Sequence, residues 1–335
     1  MNRGAALTGA LLATLETPAT WPLALASFLV RGGLVLVVVP IIVLPTAVGF
    51  GNIFAPALGS IAFGSVSTGL VVTSVAAALA VVAWIVLGGW LAAALEAEAS
   101  WMIASDRDVR SGTSASEARR EPAKPTRTPR VAARILITRL IADIPLAVVL
   151  AGATVRIVLV TYRELTNPLD TATPIVLRVL RATPEVIVAV AVAWTLAEMV
   201  GSIAARRIAV GGDGILPALR GAIGTCLRHP IASVIRFWLP TAVLVAVVIP
   251  CAVGAAWAWT AVEATLDGTP ELLAILLVIG TFVVVWLVGL ILIGVVSAWR
   301  GAVWTVIEVA REGTFGGSTD RRPGDWQSDR SSATL

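Results

Sequence analysis

The chain has 335 residues, 57% of them hydrophobic and only 14% charged, with a mean hydropathy of +0.90. A soluble domain carries about 25% charged residues, so the composition excludes an ordinary water-soluble globule. The net charge of +4 would point to nucleic acid only if the charges gathered on a folded soluble face. They gather at the edges of apolar runs instead, and no nucleic-acid partner is expected.

The apolar residues fall into six long blocks. A helix needs about 20 mostly apolar residues to cross a hydrocarbon core roughly 30 Å thick. In hydrocarbon each backbone donor and acceptor must be satisfied internally, so uninterrupted runs of this kind become helices. A barrel would instead need alternating strands of about 10 residues. The expected fold is therefore all-α: a polytopic membrane protein with about six transmembrane helices plus short interfacial amphipathic helices.

In chain order, residues 4–16 read as a short amphipathic helix on the membrane surface. The first span is expected over Gly33–Phe54, kinked by Pro40 and Pro45, and the uncharged loop 49–68 follows. The second span covers about Gly69–Leu95 and ends near Glu96, Glu98 and Trp101. Residues 105–133 are rich in Arg, Ser, Pro and Thr without apolar periodicity, which reads as a disordered linker. Residues 131–140 are amphipathic and feed a third span at about Ile141–Val160. Residues 174–181 form a short amphipathic piece, and the fourth span is about Val186–Ile208. Another surface helix is expected at 215–228. The fifth span is about Phe237–Trp259, and the sixth about Leu272–Ser297, extending to Ala310. The organisation is thus a first two-span hairpin over 1–104, a cytoplasmic linker over 105–133, two further hairpins over 134–310 and a disordered cytoplasmic tail over 311–335.

Arginine and lysine counts in the loops set the orientation. Arg3, the linker and Arg206, Arg207, Arg220, Arg228 and Arg236 fall on one side, with the tail. Loops 49–68 and 260–271 on the other side carry no basic residue, and only loop 161–185 is mixed. The expectation is a multi-pass protein of the cell membrane with both termini in the cytoplasm.

The chain also reads as three similar units, each a surface helix followed by two spans. The shared composition of membrane helices would produce a similar alignment. A basic surface helix ends in His-Pro ahead of the fifth span: Ala218-Leu219-Arg220, then Leu227-Arg228-His229-Pro230. This layout resembles the loose group of six-span prokaryotic membrane proteins that includes the membrane domain attached to some glycerophosphodiester phosphodiesterases. The resemblance covers roughly residues 1–310 and implies architecture only, because no phosphodiesterase part is present.

Ionisable groups inside a bilayer are costly, so each is a candidate functional group. Glu198, two thirds of the way through the fourth span, is the first. It could bind a proton or cation, or pair with a basic residue on a neighbouring helix; snorkelling toward Arg206 would make it structural. Arg139 and Asp143 are four apart and share a helix face, as an interfacial pair at the start of the third span. Arg31, Arg228 and Arg236 lie at the cytoplasmic interface, where their long stems can reach lipid headgroups. Cys226 and Cys251 are the only cysteines and His229 the only histidine. Their spacing fits neither a disulfide framework nor a metal site, and no metal or cofactor is expected. No catalytic residue is assigned, since neither a nucleophile elbow nor a Walker A loop occurs. The expected partners are the lipid bilayer and a membrane-protein partner or second copy. The leading expectation is a non-enzymatic scaffold or subunit of a membrane complex, and the alternative is a transporter or channel for a small or lipid-like substrate using Glu198.

Overall fold

A computed structural model describes residues 3–35, 68–110, 129–166, 173–266 and 272–316, and the described elements are all helical. In order they are α1 (Arg3–Glu16), α2 (Thr20–Phe28), α3 (Thr68–Ala83), α4 (Gly89–Arg110), α5 (Pro129–Thr166), α6 (Ile175–Ala182), α7 (Pro184–Ala209), α8 (Ile215–Arg228), α9 (Pro230–Leu266) and α10 (Leu272–Gly316). A π-helical turn, Leu29–Gly33, continues α2, and a second, Trp84–Gly88, joins α3 to α4. Five stretches among the described residues are long and apolar enough to cross a membrane. The protein is an all-α, multi-pass membrane protein.

The expected spans two to six coincide with these helices. The first, with Pro40 and Pro45, lies outside the described residues beyond residue 35. The amphipathic stretch 131–140 and the third span form one helix rather than two: α5 has 38 residues, roughly 57 Å at the usual rise, so its ends project past the hydrocarbon. Both ends of the expected linker 105–133 are helical, and its residues 111–128 lie outside the described residues. Helix α4 runs on to Arg110 and α5 starts at Pro129, Pro being well placed in a first helical turn. Likewise α10 continues to Gly316, beyond the expected start of the tail.

Packing divides the chain into two compact units, one with residues of Met1–Leu7, Ala104–Phe237 and Val303–Leu335, the other with residues of Thr8–Ile103 and Trp238–Ala302. In the first unit α7 is the central element. It packs along α5 and against α8, and α5 also meets α6 and α8. Every residue from Gly201 to Ala209 is buried. The run Gly201, Ser202, Ala204, Ala205 supplies the small side chains that let helix backbones approach closely where apolar lipid gives no drive for association. A Cβ at Gly201 would sit 3.7 Å from the Ala142 Cβ and 3.6 Å from Arg139. Trp194 meets Phe237 edge-on, with ring centroids 5.6 Å apart.

In the second unit the Trp21 indole donates to the Thr14 carbonyl at 2.8 Å and ties α1 to α2. The Ser27 hydroxyl donates to the Ala92 carbonyl at 3.3 Å. Gly294 lets α10 reach the Trp21 carbonyl, which a Cβ would meet at 3.2 Å, and Gly289 faces Cys251 in the same way. A cavity of about 20 Å³ lies beside that contact, lined by residues including Val248, Cys251, Ala255 and Trp286. Gly32 has φ +108° inside the turn that follows α2, a conformation open to glycine and strained for other residues.

The surface helices turn small residues inward and large apolar ones outward. In α1, Ala6, Ala10, Ala13 and Thr14 are buried while Leu11, Leu12 and Leu15 are exposed. In α8, Ala218, Leu219 and Ala222 are buried while Leu216, Ile223 and Leu227 are exposed. At the start of α5, Ala132, Ile135 and Thr138 are buried while Ile137, Leu140 and Ile141 are exposed. Water would drive large apolar groups the other way; a lipid neighbour does not. These three segments share exposed large apolar residues on one face. Buried hydroxyls close on their own helices: Thr14, Thr138, Thr183 and Thr195 each donate to the carbonyl four residues back, so no polar group is left facing hydrocarbon at those positions.

Candidate functional site

Ion pairs in the first unit include three groups. The first lies in the α5–α7 seam. Arg139 Nη1 stands 3.8 Å from Glu198 Oε2, and both side chains are largely covered. Gly201, one turn after Glu198, leaves room for the Arg139 stem. The structure therefore brings two of the residues singled out from sequence together across helices. Asp143 lies one turn after Arg139 on the same helix and is engaged as well.

The second group surrounds the end of α7. Arg207 is buried. Its Nη1 lies 3.9 Å from Asp213 Oδ2 in the loop after α7, and its Nε 3.9 Å from Glu308 Oε1 on α10. Glu308 also pairs with Arg311, one turn further along α10. The Arg207 guanidinium rests on the backbone of Gly221 in α8, where any Cβ would overlap it. One arginine on α7 thus touches two other helices and a loop. A cation in the last turn of α7 is also favoured by the helix dipole. Arg206 beside it is buried too.

The third group answers the mixed loop 161–185. Arg156 Nε pairs with Glu185 Oε1 at 3.2 Å, and Arg178 Nη1 with Glu164 Oε2 at 3.2 Å. Of the loop's basic residues Arg178 is thus paired with an acid, and Arg156 precedes the loop within α5.

In the second unit Arg31 pairs with Glu96, 65 positions along the chain. Arg31 is expected at the cytoplasmic interface and Glu96 near the end of the second span; the two meet, and Glu96 is buried. Nothing in the local pattern marks this pair, because its partners come from separate spans. Arg228 is exposed at the end of α8, and Arg236 is part-buried within α9 and engaged. Pro230 opens α9 directly after His229.

Sequence reasoning also missed the Arg207–Glu308 group. Its signal is faint: a twin arginine following small residues, and a lone glutamate inside the apolar run 302–310. Cys226 lies in α8, where burial pushes its thiol up from the ordinary cysteine range. Among the described residues, no group of three or more His, Cys, Asp or Glu is placed to hold a metal ion. Comparison with protein-family models, with curated proteins and with solved structures finds no match for this chain.

Proposed function

We propose that this chain is a non-enzymatic scaffold or subunit of a membrane complex, in the cell membrane with both termini in the cytoplasm. The observation that supports it is the engagement of Glu198, the acid deepest in a span, by Arg139 on the neighbouring helix. A carboxylate held this way joins α5 to α7. The Arg207–Glu308 and Arg31–Glu96 contacts use charge in the same manner. The six-span resemblance fits this reading and adds no activity to it.

Purification of the tagged full chain in mild detergent, with mass spectrometry of co-purifying chains, tests the proposal. A stoichiometric membrane partner is the expected result, and Glu198→Gln keeps it. A chain that elutes alone or only with copies of itself counts against the scaffold.

The transporter reading keeps one observation in its favour: Glu198 retains 24% side-chain exposure within a span. It requires Glu198→Gln to abolish a proton- or cation-coupled flux in proteoliposomes while leaving the fold intact.

A further inference from the structure

In the first unit, α8 and α5 pack on each other and on α7, and α8 and the start of α5 each carry an outward stripe of mixed chemistry. On α8 the stripe is Leu216, Arg220, Ile223 and Leu227, at spacings of four, three and four that keep one helical face. Arg228 follows at its end. On α5 it is Arg130, Arg134, Ile137, Ile141 and Ile144, with the same periodicity. All these side chains are exposed. No acidic residue occurs in α8 or in α5 before Asp143. Arg130, Arg134, Arg220 and Arg228 make no ion pair with any described residue, unlike Arg139, Arg156, Arg178 and Arg207 of the same unit.

We infer that this pair of helical segments forms a binding surface for anionic lipid. It goes beyond the scaffold reading and does not depend on it. The isoleucines and leucines enter the acyl region, where their outward placement costs nothing. The four guanidiniums stay at headgroup level and hold phosphate through paired N–H donors, the geometry that arginine offers a phosphate best. On α5 the order along the stripe, two arginines and then three isoleucines, follows the passage from headgroup into hydrocarbon. An acidic partner protein would meet the arginines but would leave the leucine stripes uncovered, so lipid accounts for both halves of the surface.

The test uses the purified full chain in phosphatidylcholine vesicles containing spin-labelled phosphatidylglycerol or spin-labelled phosphatidylcholine. The fraction of label immobilised at the protein gives the selectivity. Each arginine near an anionic surface is worth about fivefold in binding. The wild type is expected to favour phosphatidylglycerol several-fold, less so at high salt because headgroup contacts are screened. Replacing Arg130, Arg134, Arg220 and Arg228 together by Gln should bring the ratio close to one, whereas Arg163→Gln with Arg181→Gln should leave it unchanged. Equal immobilisation of the two lipids by the wild type, or a preference insensitive to salt, overturns the proposal without any variant. A folded fourfold variant that keeps its preference also overturns it. Neither result touches the scaffold reading, which stands or falls on co-purification.

Discussion

At the scale of single residues, the buried charges of the first unit are its points of highest risk. Removing one partner from a buried pair leaves the other charge uncompensated, whereas replacing both with apolar groups is often tolerated. Glu308→Leu strands Arg207 and should lower stability by about 3 kcal/mol, at the low end of that class because Asp213 remains within reach. The double change Glu308→Leu with Arg207→Met should recover most of the loss. Denaturation midpoints in detergent compare the two, and a double variant weaker than Glu308→Leu would refute this assignment. Gly221→Ala should cost about 1–3 kcal/mol through overpacking, since its methyl falls on a guanidinium that is already held. Cys226 makes a separate prediction. Its raised thiol pKa means less thiolate at a given pH. In a Cys251→Ala background, alkylation should be slower near neutral pH than for a free cysteine and should accelerate at a higher pH. Reaction at the free-thiol rate would contradict the burial.

At the scale of elements, the helices are governed by two different rules. Inside the membrane, length and apolarity make a helix regardless of face, which is why α9 tolerates Pro240 and Pro250; neighbouring helices and local adjustment re-satisfy the freed carbonyls. At the surface the inward face decides, and alanine fills most of it, with Ile135 and Leu219 beside it. The break after α2 belongs to this scale. Gly32 sits at φ +108°, and a side chain there is expected to cost about 1–3 kcal/mol of backbone strain. Gly32→Ala should therefore lower the melting temperature, while Gly224→Ala, in the middle of α8 with open space around it, should raise it slightly through helix propensity. Equal effects of the two would mean that the positive φ is not required.

At the scale of the whole molecule, charge asymmetry is the organising quantity. In the orientation proposed for the chain, Arg156–Glu185 and Arg178–Glu164 set an acid against two of the arginines on the side where the positive-inside rule disfavours them. Alkaline phosphatase fused at residue 268 should be active, and the same reporter at either terminus inactive. Activity at a terminus would reverse the orientation proposed for the chain.

The sequence alone determined that this is an all-helical membrane protein and where five of its long helices run, because hydrocarbon admits few backbone solutions and length and apolarity are visible in one dimension. It also marked Glu198 and Arg139 as residues of interest, since a charge in an apolar run stands out without any neighbour. Which charges meet was decided only by the tertiary structure. Arg31 with Glu96, and Arg207 with Glu308, join residues 65 and 101 positions apart. An ion pair depends on a few ångströms of separation in space, and the spacing of residues along a chain carries no measure of that once they belong to different helices.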